Sequence, residues 1–128
     1  MRLLLDTHIL IWIAGFPERL SRAAADLLEA EESLLHYSPV SIWEIVIKNQ
    51  PSRKDFEIDV HVLRRELEDR GYEELPVTTV HALAVGALPA VHKDPFDRLL
   101  IAQATAEGIT LLTADKVMAR YPGPIRLV

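Results

Sequence analysis

The chain contains no cysteine. That excludes a disulfide framework, a thiolate zinc site and a cysteine nucleophile, and leaves oxygen and imidazole groups as the only metal donors. A membrane-spanning helix needs a run of about 20 predominantly apolar, uncharged residues, and the chain does not fit one. The start, Met1-Arg2-Leu3-Leu4-Leu5-Asp6, meets a carboxylate far short of the roughly 7 to 15 apolar residues of an export signal. A cytoplasmic location, with no membrane partner, is the default expectation. Cationic residues are in deficit: 14 Lys and Arg stand against 19 Asp and Glu, for a net charge of −5. Proteins that grip nucleic acid through its phosphates tend to be basic, so this balance taken alone argues against such a partner. Repeats, low-complexity tracts and convincing linkers are also lacking, and 128 residues suit one domain, here expected over 1–128. With 49% apolar and 26% charged residues, the composition is that of a folded globular chain and not of a disordered one.

What is present is an alternation of strand-like and helix-like segments. Leu3-Leu4-Leu5 is the short continuous apolar run of a strand buried on both faces in a parallel sheet, and Asp6 closes it. Ser21 opens a helix-like stretch, followed by a strand at Leu34 to Ser38. Helices are predicted from Val40 to Lys48 with Pro51 ending the run, from Asp59 to Arg70 with Gly71 after it, from Thr79, and from Phe96 to Glu107 with Gly108 after it. Leu75-Pro76-Val77, Ile109 to Thr113 and Ile125 to Leu127 read as strands, with a short helix around Asp115 to Arg120. Asn49 to Glu57 is a polar loop. Such alternation predicts an α/β fold, a mainly parallel sheet covered by helices on both sides.

In open parallel sheets ligands bind beyond the carboxyl ends of the strands. Acids stand there: Asp6 ends the first strand, Asp115 lies just beyond the fourth, and Glu44 and Asp97 are placed in the first turns of helices. Each has a plain alternative as a helix cap. Ser41-Ile42-Trp43-Glu44 matches a capping box, Asp94-Pro95-Phe96-Asp97 a cap followed by proline, and Thr113-Ala114-Asp115 a helix start. Together, however, carboxylates facing one cleft repel one another unless a cation sits among them. Oxygen donors suit Mg²⁺ or Mn²⁺, and one or two such ions serve phosphodiester hydrolysis.

Four ordered segments carry a family resemblance: Leu3-Leu4-Leu5-Asp6-Thr7-His8, Ser41-Ile42-Trp43-Glu44-Ile45, His92 to Ala104 with its Asp94-Pro95-Phe96-Asp97-Arg98-Leu99-Leu100 centre, and Leu112-Thr113-Ala114-Asp115. They resemble the motifs of PIN-domain ribonucleases, most closely the VapC-type toxins of bacterial toxin-antitoxin pairs. The resemblance implies a three-layer α/β/α domain, Mg²⁺- or Mn²⁺-dependent endoribonuclease activity on RNA, inhibition by a small cognate antitoxin, and a homodimer. It further implies that Asp6, Glu44 and Asp97 are the central catalytic and metal-binding acids, that Asp115 is the fourth, and that Thr7 and Thr113 support them through hydrogen bonds. Asp94 reads mainly as the cap that positions Asp97, and Arg98 as a phosphate contact or an acid's partner. One departure lies after Lys48, where relatives commonly carry a Gly-Lys-Leu-like segment and this chain has Asn49-Gln50-Pro51-Ser52-Arg53-Lys54.

The remaining polar residues are less pointed. His8, His36, His61, His81 and His92 lack zinc-site spacing and read as structural or surface groups. Trp12 and Trp43 suit core or dimer packing better than base stacking. Lys48, Arg53, Lys54, Lys93, Arg98 and Lys116 form either a positive rim for RNA or a solvated surface. Two other function classes stay open: a metal-dependent phosphatase or hydrolase of small phosphoesters, and a non-catalytic binding module whose acids only cap helices. Asp6-Thr7-His8 lacks the second aspartate of an aspartyl-phosphate enzyme, and no phosphate-cradling glycine loop is present. A DNA-cutting nuclease would use the same metal chemistry, because the 2′-hydroxyl is recognised by separate contacts.

Overall fold

Leu3, Leu4 and Leu5 form the central strand of a five-stranded, all-parallel sheet and are completely buried. In this computed structural model, which describes residues 1–49 and 58–128, the strands are β1 (Arg2–Leu5), β2 (Leu34–Tyr37), β3 (Glu73–Glu74), β4 (Thr110–Thr113) and β5 (Ile125–Leu127), in the spatial order β3-β2-β1-β4-β5. β1 pairs with β2 in the register Leu3↔Leu35 and with β4 in the register Leu4↔Leu111. Among the described residues six α-helices flank the sheet: α1 (Thr7–Gly15), α2 (Arg22–Glu29), α3 (Pro39–Lys48), α4 (Val60–Asp69), α5 (Thr79–Val85) and α6 (Pro95–Glu107). The unbroken apolar run of β1 follows from this layering, because successive strand residues face opposite layers. Leu3 and Leu5 pack with Ile9 and Leu10 of α1, Ile45 of α3, and Leu63 and Leu67 of α4. Leu4 joins the other core with Leu100, Ile101 and Ala104 of α6. Among the described residues no helix is long and apolar enough to cross a membrane.

Four boundaries differ from the sequence expectation. α3 begins at Pro39, with the Ser38 hydroxyl accepting from Val40 N, so Ser41 lies inside the helix and Glu44 one turn further in; the proposed Ser41/Glu44 capping box is absent. The third strand is Glu73–Glu74, not Leu75 to Val77. Pro76 has no N–H to offer a ladder, and the carbonyls of Leu75 and Pro76 accept from the Gln103 side chain of α6. The short helix expected from Asp115 to Arg120 shrinks to a 3₁₀ turn at Met118–Arg120. Finally α1 is a helix with no polar stripe: Thr7, Ile9, Leu10, Ile11 and Ile13 are all buried, so the periodicity that marks surface helices is missing from its sequence. Gly108 ends α6 in the left-handed region at φ 66°, as its place in the sequence predicts. Arg53 and Lys54, with the departing segment 50–54, lie outside the described residues.

Candidate active site

β1 and β4 are neighbours, so their carboxyl ends deliver Asp6 and Thr113 side by side. The Asp6 N–H donates to Leu112 O at 3.0 Å, and the Thr113 hydroxyl donates to Asp6 Oδ2 at 2.8 Å. Asp6 Oδ1 takes the N–H of Thr7 (2.7 Å) at the start of α1. From the β2 side, α3 brings in Glu44, whose Oε1 lies 2.8 Å from the Thr7 hydroxyl; that hydroxyl is also 2.9 Å from Ser41 Oγ. A carboxylate only accepts, so the Thr7 proton goes to Glu44. The two threonines thus tie different acids: Thr113 holds Asp6 and Thr7 holds Glu44. Asp6, Glu44 and Asp97 are all buried.

Asp97 enters from the opposite layer on the first turn of α6. Asp94 caps that helix, accepting from Phe96 N at 2.9 Å and Asp97 N at 3.2 Å through one oxygen. Asp115 caps in the same manner, with Oδ1 2.8 Å from Val117 N. Neither Glu44 nor Asp97 accepts from a backbone amide among the described residues. The caps-only explanation therefore covers Asp94, Asp115 and part of Asp6, but not the two acids at the centre.

Electrostatics registers the convergence. Burial pushes the Asp97 carboxyl up, and Asp6, Asp94, Glu44 and Asp115 push it further, to about 8. Burial also raises Asp6, against the Thr113 and Thr7 hydrogen bonds and the charge of His8, with Glu44 adding to the rise. Lys48 supplies partial neutralisation: it bonds Glu44 Oε2 and stands 3.9 Å from Asp94 Oδ2. Burial works against its charge, yet Glu44, Asp94 and Asp97 outweigh that and raise its pKa. Asp6, Glu44 and Asp115 all bear electrostatically on Asp97, and Glu44 on Asp6. Among the described residues, the group whose donor atoms all lie within 4.8 Å of one another is His92, Asp94 and Asp97.

Several expected roles change. Arg98 pairs with no acid among the described residues: its guanidinium donates to the carbonyls of Pro89, Val85 and Leu88 and to the Tyr121 hydroxyl, clamping the connection between α5 and α6. Lys48 points into the acidic site and is not a rim cation, whereas Lys93 and Lys116 are exposed. Trp43 is not core; it is 56% exposed and meets Phe96 edge-on at 5.0 Å. Trp12 packs against the core beside α1. His92, assigned by sequence to structure or surface, stands with Nε2 3.0 Å from Asp97 Oδ2. Its placement before Lys93-Asp94-Pro95 was the only signal, and one without a zinc-like spacing.

A carboxylate set in which burial first, and neighbouring acids second, raise the proton affinity of Asp6 and Asp97 fits a hard divalent cation, which relieves that cost. The chain is similar to known proteins over nearly its whole length. The model of the PIN domain matches residues 3–124. Ribonuclease VapC22 of Mycobacterium tuberculosis is 30% identical over 124 residues, 95% of each chain. Among solved structures, VapBC2 from Rickettsia felis, bound to a DNA fragment from its promoter, matches with a TM-score of 0.73 at 17% identity, covering 99% of this chain and 98% of that one. DNA-bound VapBC from Salmonella typhimurium gives a TM-score of 0.66 at 18% identity, covering 98% and 97%.

Proposed function

The chain belongs to the PIN-domain family, among its VapC-type ribonucleases, and from that premise we propose that it is a toxin that cuts RNA by metal-dependent hydrolysis at the acidic edge of its sheet. The observation that carries this reading is Asp97: a carboxyl buried on the first turn of α6, pushed up to about 8 first by that burial and then by four surrounding acids, is a poor structural element and a good cation ligand. Asp6 and Asp97, arriving from opposite sides of the sheet, are the residues that would hold Mg²⁺ or Mn²⁺, with Glu44 beside them and Asp115 at the rim. A bound divalent ion supplies the positive charge that makes water a nucleophile at neutral pH and offsets charge on the scissile phosphate. The chain's own part is to fix that charge. Thr113 orients Asp6, Thr7 and Ser41 orient Glu44, and Lys48 shields Glu44 and Asp94 until a cation and a phosphate arrive.

Water as nucleophile dictates the products: 5′-phosphate and 3′-hydroxyl ends, with no 2′,3′-cyclic phosphate. Asp6→Asn and Asp97→Asn keep side-chain size and remove the ligand charge, so each should lower single-stranded RNA cleavage by at least about a hundredfold. Finding cyclic phosphate ends, or full cleavage by a folded Asp97→Asn protein, overturns the proposal. Hydrolysis of small phosphoesters in place of RNA would move the site to the phosphatase class.

The inhibiting partner in this reading is a small antitoxin, as in the toxin-antitoxin complexes whose folds match. Its place is the groove of about 230 Å³ between α1 and α4, lined by Ile11, Ala14, Phe16, Val62, Leu63 and Glu66. Charge supports this choice. Among the described residues Glu66 Oε2 is enclosed without a hydrogen-bond partner, and an unmet buried acceptor costs about 1 to 3 kcal/mol. A partner segment with apolar side chains around one Arg or Lys covers the groove and meets that oxygen.

A further inference from the structure

We infer that His92 is a positioning residue for Asp97: its Nε2–H holds Asp97 Oδ2 and so leaves the other carboxylate oxygen for the cation. The inference rests on the reading that Asp97 is a metal ligand, and it begins with the tautomer. Lys93 N donates to His92 Nδ1 at 3.1 Å, which makes Nδ1 the bare nitrogen of the ring. In a neutral imidazole the proton is then on Nε2, and Nε2 stands 3.0 Å from Asp97 Oδ2. The ring therefore faces the acid as a donor. It does not face it as a metal ligand, although His92, Asp94 and Asp97 lie close enough to suggest a three-ligand site. Asp94 argues the same way, because one of its oxygens caps α6 and the other lies 3.9 Å from the Lys48 ammonium.

His92 is itself held in place. The buried Tyr121 hydroxyl accepts from His92 N (2.8 Å) and donates to His92 O (3.1 Å), fixing both polar groups of that backbone residue. Arg98 Nη1 donates to the same hydroxyl at 3.1 Å and to Pro89 O at 2.8 Å. Every hydrogen-bonding position of the tyrosine oxygen is used. The result is a chain from Arg98 through Tyr121 and His92 to Asp97, in which Arg98 follows Asp97 directly in sequence. Both the acid and its clamp thus start from one turn of α6. Partners of this kind, which orient a ligand without touching the ion, typically account for 10- to 100-fold in metal affinity.

The first test uses the wild-type protein without metal. Two-bond ¹H–¹⁵N correlation spectra are expected to show His92 as the Nε2-protonated tautomer; an Nδ1-protonated ring overturns the inference. The second is Mn²⁺ titration by calorimetry. His92→Leu should bind Mn²⁺ about 10- to 100-fold more weakly while its circular dichroism stays native. His92→Gln, which carries an N–H at similar reach, should recover most of that loss. Tyr121→Phe should fall between the wild type and His92→Leu. Wild-type Mn²⁺ affinity in folded His92→Leu refutes the role, as does a directly coordinated imidazole nitrogen in the pulsed EPR spectrum of the Mn²⁺ protein. Asp97→Asn separates the two levels of argument. If it abolishes binding while folded His92→Leu keeps wild-type Mn²⁺ affinity, the positioning role alone fails; if it leaves binding intact, the Asp97 assignment fails and takes this role with it.

Discussion

At the scale of single residues, the dominant feature is a carboxyl kept from ionising. Asp97 has an ordinary value of 3.8 and stands near 8 in the folded chain, so between those limits the native state binds a proton that the unfolded state has released. Stability changes with pH as the unfolded minus the folded proton count, which is negative over this window. The contribution of Asp97 is fully present below about pH 4 and is lost as pH rises toward about 8. Metal-free protein should therefore lose thermal stability between about pH 5 and pH 8, and Asp97→Asn, having no charge to desolvate, should lose less. At the upper end the variant should exceed the wild type by about 1 to 3 kcal/mol, allowing for relaxation around the site. Saturating Mn²⁺ should reverse the order, since only the wild type gains binding energy. Parallel melting curves with and without chelator decide it; a variant less stable than metal-free wild type at about pH 8 contradicts the electrostatic picture.

At the scale of elements, α6 depends on Asp94 for its start and delivers Asp97 from its first turn. Asp94→Ala removes a cap that serves two amides and should cost about 0.5 to 2 kcal/mol of stability. Asp94→Asn keeps the cap and removes the charge, so its stability should match the wild type within a few tenths of a kcal/mol, while the carboxyl of Asp97 titrates lower for want of a charged neighbour. Denaturant unfolding with NMR titration of the Asp97 carboxyl checks both halves. The same helix shows what sequence makes legible. Its proline, its cap and its terminating glycine are local signals, and they located it, as the apolar runs located β1 and β4 with the acids at their ends. α1 escaped because a helix buried nearly all round has no stripe to read. Ser41 misled because its spacing to Glu44 imitates a cap that Ser38 already provides. Arg98 and His92 were illegible for a different reason. Their partners, the 85–89 carbonyls and Tyr121, are brought to them only by the folded connection between α5 and α6.

At the scale of the whole molecule, the acidic balance changes meaning. Four of the nineteen acids, Asp6, Glu44, Asp97 and Asp115, gather at one edge, so the net −5 leaves −1 for the rest of the chain. RNA affinity should then depend on the cation: replacing chelator with Ca²⁺ should tighten RNA binding about tenfold or more, measured by anisotropy, and equal affinities would show that RNA does not approach this edge. The opposite logic applies to the groove between α1 and α4, where Glu66 Oε2 has no partner among the described residues and the lining, Asp59 and Glu66 apart, is mainly apolar, with Phe16 and Val62 each 39% exposed. This groove lies toward the far end of α1 from Thr7, so its variants should cut RNA at the wild-type rate. Glu66→Gln should weaken capture of an antitoxin co-expressed from the adjoining reading frame by about tenfold to a hundredfold, the value of a hydrogen bond to a charged group. Val62→Glu, which adds a third carboxylate to the lining beside Asp59 and Glu66, should prevent stable complex formation. RNA cleavage in the presence of that antitoxin is the sharper readout, because inhibition should fail in both variants while free activity persists. If both remain fully inhibited, the antitoxin docks elsewhere and Glu66 must find its partner within the chain.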